Sequence, residues 1–469
     1  MKYLILFGAI VFTFQAIRSG REKLAFAFIV AALPFEAAPF KGDSFLIGLN
    51  GFLIWSFWFA YGMKHGFAKI GSSGSIAVVK KYLLYFLVAG IVLAIFTNNT
   101  GIDTAAAYTI PVQVFNFSLI VVTLVMFLDA FSLFGNDPEY MQNLMLVFVS
   151  TSIVQLISVV SPVLGYEGLL PAFLISNPVI HFDPAIESVT VRYTGLIADY
   201  DIIIDYALMV MVFSVILISE GKKIVPAVSV VSAVVVGLMS GTRSFIVGVA
   251  ILVIAYLLYY VFLHFNSKRI FGIVLVCVGI IIVGRVVLGI VGELQILDRF
   301  DVTLQLFSEG DVAGATNRQG LITNLGSFLA GGSVLGRGAL FFDEMNGDEL
   351  VSHNLLFAAY AKYGIIGIIA VLALLRKTVV SLYTSFSNSR NKEEKAEAMM
   401  YSVLFVLIFM QSMKVSPLRY LSSVLLHAFA YMMIYFFSVR IERASKNSLN
   451  AAVVNTTAAI LGTSTPLRG

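Results

Sequence analysis

Seven arginines draw attention by where they stand. Arg192, Arg243, Arg285, Arg299, Arg318, Arg337 and Arg419 lie in or beside long apolar stretches, where an ionisable side chain is a functional hypothesis by default. Guanidinium is always charged and offers paired N–H donors that match phosphate oxygens, whereas anchoring at a membrane surface would accept lysine equally well. As a set they point to a pyrophosphate site. Taken singly, each is explained equally well by anchoring at lipid headgroups or by pairing with Glu187, Asp199, Asp201, Asp205, Asp298, Asp301 or Asp311.

Three motifs surround these arginines. Val191-Arg192-Tyr-Thr-Gly195 leads into Asp199-Tyr-Asp201-Ile-Ile-Ile-Asp205, where Asp201 and Asp205 share a helix face. Ser240-Gly-Thr-Arg243-Ser244 tops an apolar run. Gly331-Gly-Ser-Val-Leu-Gly336-Arg337 is followed by the acidic stretch Asp343 to Glu349, then by Ser352-His353-Asn354 and a run holding Tyr363-Gly364-Ile-Ile-Gly367. Glycine lets backbone approach a ligand, and Ser or Asn caps a helix start. His353 then sits at the mouth of a helix, either as a proton acceptor or as part of a capping cluster. The aspartates are read equally as catalytic carboxylates or as an ion-paired helix start.

The composition tells what must position these groups. Of 469 residues 59% are hydrophobic and 12% charged, with a net charge of +4, and too few charges remain to cover a water-facing surface. This disfavours a soluble enzyme, a coiled coil and a disulfide-rich domain. The single cysteine, Cys277, excludes an internal disulfide and a cysteine-based metal cluster. No Walker loop is present, and no His/Asp/Glu set has convincing metal-ligand spacing.

The expected fold is an all-α polytopic membrane protein with about 13 spanning helices (range 11–14), near 1–17, 24–40, 45–63, 82–97, 107–133, 140–161, 200–219, 224–240, 244–264, 270–291, 356–375, 398–413 and 420–439. Pro34 and Pro39 make the second one kinked or re-entrant. The first is read as retained, because it lacks a small-residue cleavage site. Alternate loops hold 19 of the 31 basic residues, which puts those loops and the C-terminus in the cytoplasm. The resulting division is N-terminal helices over 1–161, a long outer loop over 162–199, central helices over 200–291, a second long outer loop over 292–355, C-terminal helices over 356–439, and a disordered cytoplasmic tail over 440–469. Outer loops of such length are usually functional.

In their order and common outward side, the three motifs resemble the O-antigen polymerase and O-antigen ligase superfamily of the bacterial envelope. The resemblance covers roughly residues 190–370 in motif and the whole chain in hydropathy. It implies a GT-C-like architecture in the bacterial inner membrane with the site facing the periplasm. It also implies an inverting glycosyltransferase needing neither metal nor other cofactor. A polymerase moves a polyprenyl-pyrophosphate-linked glycan onto another lipid-linked repeat, with a chain-length regulator as a further partner, while a ligase moves it onto a lipid A core. Arg192, Arg243, Arg318 and Arg337 are the candidates for binding pyrophosphate. His353, Asp348 and Asp199 are the candidates for the base. The polymerase is the expected activity, the ligase the runner-up, and a lipid or polysaccharide transporter the alternative of another class. Nucleic acid is not an expected partner.

Overall fold

A computed structural model describes residues 2–35, 49–67, 74–97, 110–164, 166, 179–183, 188–193, 195–197, 200–263, 334–336, 355–414 and 421–462. Within these, twelve helices run in chain order: α1 (Lys2–Arg18), α2 (Glu22–Ala32), α3 (Leu49–His65), α4 (Gly74–Thr97), α5 (Ile110–Phe134), α6 (Pro138–Val163), α7 (Tyr200–Ser219), α8 (Ile224–Met239), α9 (Arg243–Leu263), α10 (Leu355–Asn388), α11 (Lys392–Lys414) and α12 (Leu421–Gly462). Stretches within α4, α5, α6, α7, α10, α11 and α12 are long and apolar enough to cross a membrane, and α1, α8 and α9 hold shorter apolar stretches.

Three differences from the sequence reading have local causes. Within the segment read as a span over 24–40, α2 ends at Ala32, just before Pro34, whose ring cannot follow the helix geometry, and residues 36–40 lie outside the described residues. The loop read as 162–199 carries a two-stranded antiparallel hairpin, β1 (Val179–Asp183) and β2 (Ser188–Arg192), with Val179 opposite Arg192 and Asp183 opposite Ser188. The tail expected to be disordered is helical as far as Gly462, through the Ala-containing run 451–460 that has neither Gly nor Pro. The expected span over 270–291 lies outside the described residues.

Helix ends are fixed by short-range chemistry. Asp137 caps α6 by accepting from the Tyr140 N–H at 3.1 Å, Pro138 opens the helix, and Lys23 pairs with the same aspartate at 2.5 Å. Tyr140 Oη donates to the Lys23 carbonyl at 2.6 Å, so the entries to α2 and α6 are tied together. At the end of α3, Lys64 Nζ reaches both Glu22 Oε1 and the Ile17 carbonyl at 2.6 Å, with His65 Nε2 3.1 Å from the same Glu22 oxygen.

The core is aromatic. Phe26 touches Phe57, Phe127, Phe131 and Phe134, and Phe429 joins Phe131 to Phe148 and Phe213, with ring centroids 5.0–6.0 Å apart. α6 packs between α7 and α8, and α11 lies against α7, α9 and α10. Most buried Ser and Thr hydroxyls return to a carbonyl of their own helix, as Thr13 does to Ala9 and Ser412 to Ile408. By contrast α4 and the apolar stretch of α10 show apolar faces outward, including Tyr82, Val88, Ile95, Ile366, Ile369 and Val380. In water such contiguous faces would be a liability, and against lipid chains they are matched.

Candidate functional site

Five of the seven candidate site residues, Asp199, Arg318, Arg337, Asp348 and His353, lie outside the described residues. Arg192 and Arg243 are described as backbone, ending β2 and beginning α9. The segments that carry them meet. Tyr193, next to Arg192, donates its N–H to the Met239 carbonyl at 3.1 Å, in the last residue of α8. From there Ser240 and Gly241 turn the chain, with Gly241 at φ +65°, and α9 starts at Arg243. Ser240 Oγ lies 3.3 Å from Thr242 Oγ1 and donates to the Gly237 carbonyl, which holds the turn shut from inside.

The glycine of the Arg192-x-x-Gly195 motif has a spatial reason. Gly195 adopts φ +59°, and a Cβ there would lie 2.6 Å from Gln155 Nε2 and 2.8 Å from Val159 Cγ2. The close approach lets Leu196 N–H donate to Gln155 Oε1 at 3.0 Å. Leu196 and Ile197 are buried. Gln155, buried in α6, thus clamps the strand exit one turn away from the segment that meets α8.

The glycine motifs of the second outer loop are also brought together. Ile365 donates its N–H to the Val334 carbonyl at 3.1 Å, so the Val334-Leu335-Gly336 turn sits on α10 where Gly364 interrupts the helix at φ 60° and ψ −148°. A Cβ on Gly336 would lie 2.5 Å from the amide nitrogens of Tyr363 and Gly364, and one on Gly364 would lie 1.8 Å from the Val334 oxygen. Tyr363 packs on Phe86 of α4, and Gly90 leaves the room, since a Cβ there would come 3.2 Å from Tyr363 Oη.

A pair that the sequence reading did not join stands at the same end of the bundle. Asp205, in the second turn of α7, and His427, in the second turn of α12, are both largely buried, with His427 Nε2 3.6 Å from Asp205 Oδ2. His427 Nδ1 lies 2.8 Å from the Ser423 carbonyl, which can only accept, so this nitrogen carries hydrogen. A neutral ring then turns its Nε2 lone pair toward a carboxylate oxygen. The signal was present, since His427 interrupts the apolar run 421–437, but the sequence reading weighed only arginines inside apolar spans.

Among the described residues, no group of three or more His, Cys, Asp or Glu side chains is placed to hold a metal ion. No family model and no curated protein matches the chain. The resemblance drawn above therefore rests on the motifs alone, and what the geometry adds is their spatial grouping.

Proposed function

We propose that this chain is a membrane glycosyltransferase that polymerises polyprenyl-pyrophosphate-linked oligosaccharide repeats at the outer face of the bacterial inner membrane. The observation that carries the reading is the Tyr193 N–H bond to the Met239 carbonyl, because it joins the backbone segments of Arg192 and Arg243. Two arginines on backbone segments that meet are the residue types a leaving pyrophosphate needs. As the glycosidic bond breaks, negative charge grows on the pyrophosphate, and fixed cations in a partly dehydrated site lower that barrier. Arg318 and Arg337 complete the proposed set from the second outer loop.

On the other face of the sugar, the acceptor hydroxyl loses its proton to His353, with Asp348 or Asp199 as the alternatives. Inversion requires base and leaving group on opposite faces of the anomeric carbon. The docking of the Val334–Gly336 turn on α10 supports this division. It fixes the loop just before Arg337 to the helix whose start follows His353.

The test is the purified protein in liposomes with lipid-linked repeats alone, then with core lipid added, the products being resolved on a gel. A ladder from repeats alone is the expected result. A product that appears only with core lipid would make the protein a ligase, and relocation of unchanged repeats would make it a transporter.

A further inference from the structure

At the end of the bundle opposite the candidate site lies a cavity of about 130 Å³, bordered by the α5–α6 turn, the α7–α8 turn, α11 and α12. Met145, Met433 and Phe436 help to line it with apolar surface, while its polar lining includes Asn136, Gln142, Glu220, Glu397, Arg440 and Arg443. Arg440 is engaged by Glu397 and stacks on Phe437 at 5.3 Å. Arg443 stands exposed and donates to Asn136 Oδ1 at 2.9 Å. That leaves one carboxylate oxygen without a hydrogen bond among the described residues. Glu220 is hydrogen-bonded to Gln142, yet its Oε2 is buried and has no hydrogen-bond partner among the described residues.

When ionised, Oε2 can only accept, so a group that joins it donates, and a cation donates best. Burial raises the Glu220 carboxyl above its ordinary value, outweighing the Gln142 hydrogen bond and the nearby charges of Arg440 and Lys222. The volume suits a few water-sized groups, at roughly 10–15 Å³ each, and is below the roughly 300 Å³ of sites for larger ligands. The cavity lies where several apolar stretches end. The apolar stretch of α7 ends at Ser219, that of α6 begins at Pro138, and Arg440 and Arg443 lie in the last turns before Asn447, where that of α12 ends.

We propose that this cavity seats the primary ammonium of an aminophospholipid headgroup, with Glu220 Oε2 as its acceptor and the Arg443 guanidinium beside its phosphate. Apolar Met433 and Phe436 then lie toward the acyl side. The proposal does not depend on the glycosyltransferase reading.

The full-length protein in detergent would be titrated by native mass spectrometry with phosphatidylethanolamine, phosphatidylcholine and phosphatidylglycerol of the same acyl chains, and with free ethanolamine. The quaternary ammonium of phosphatidylcholine cannot donate a hydrogen bond. Phosphatidylethanolamine should therefore bind roughly tenfold tighter or more, the effect of one charge-assisted hydrogen bond. Glu220→Gln should erase that preference, and Arg443→Ala should weaken the phospholipid but not free ethanolamine. Free ethanolamine binding as tightly as the phospholipid would support the ammonium seat and assign it to a soluble amine. Equal binding of all three phospholipids by the wild-type protein would overturn the proposal, whatever the variants do. A preference that survives Glu220→Gln would overturn the role of Glu220.

Discussion

A single added carbon separates two kinds of glycine in this chain. Gly221 and Gly364 both have positive φ, but a Cβ at Gly221 meets nothing within 4 Å, whereas one at Gly364 strikes the Val334 oxygen. Gly221→Ala should thus cost about 1 kcal/mol, the backbone preference alone. Gly364→Ala should cost more, about 2–4 kcal/mol, because the Val334–Gly336 turn must also lift from α10. Thermal unfolding of the two variants in one detergent checks the order, and equal losses would mean that the turn does not bear on α10. Gly336 and Gly364 were legible in the sequence as places of close approach, but what they approach was not, since Val334 and Ile365 lie 31 residues apart. Arginines make a different demand. If Arg192 and Arg243 grip pyrophosphate through paired N–H donors, Arg→Lys at each should lower turnover nearly as far as Arg→Ala, by about 10- to 100-fold. Full activity in both Lys variants would reduce them to anchors. His353→Gln keeps hydrogen bonding but takes up no proton at neutral pH. It should be as slow as His353→Ala, by about 100- to 10,000-fold, and an active Gln variant would move the base to Asp348 or Asp199.

Between elements, the junction of α1, α2 and α3 carries a pH dependence whose sign is fixed by Glu22. Burial raises its carboxyl, but the hydrogen bonds from Lys64 and His65 outweigh that and hold it at about 2, below the ordinary 4.5. A depressed carboxyl stabilises the folded state above its unfolded value and loses that contribution as pH falls toward the folded one. Wild-type protein should therefore unfold at a higher temperature than Glu22→Gln at pH 7, and the gap should narrow as pH drops from about 5 to 3. A constant gap would show that the carboxylate charge is not what stabilises the junction. Element existence was easy to read, because stretches of 16 to 27 mostly apolar residues leave few alternatives. Element ends were harder. α10 continues to Asn388, beyond Arg376 and Lys377, and α12 to Gly462, because hydropathy marks where a helix is apolar and not where its hydrogen bonding stops. The hairpin was missed although Val179-Ile-His-Phe-Asp183 and Ser188-Val-Thr-Val-Arg192 are rich in β-branched and aromatic residues. Its strands are five residues each and were submerged in a loop defined by its flanking helices.

For the whole molecule, the account needs the second long loop on one side of the membrane and the C-terminal end of α10 on the other. Single cysteines in a Cys277→Ser background test this. Those at Ser308 and Ser333 should react with an impermeant thiol reagent in intact spheroplasts, and one at Ser387 only after lysis, with the reverse pattern contradicting the orientation. The expected sidedness rests on lysine and arginine counts that differ between alternate loops. The pairing of Asp205 with His427 was not legible, since only packing brings α7 and α12 together over 222 residues of chain. The central claim is that a glycan leaves polyprenyl pyrophosphate as it joins another lipid-linked repeat. Its most direct measurement counts the polyprenyl pyrophosphate released and the glycosidic bonds formed in liposomes holding purified protein and lipid-linked repeats. The account predicts one released lipid for each bond, with both rates falling together in Arg192→Lys. Lengthened glycan without released lipid, released lipid without lengthened glycan, or neither from an intact protein would contradict it.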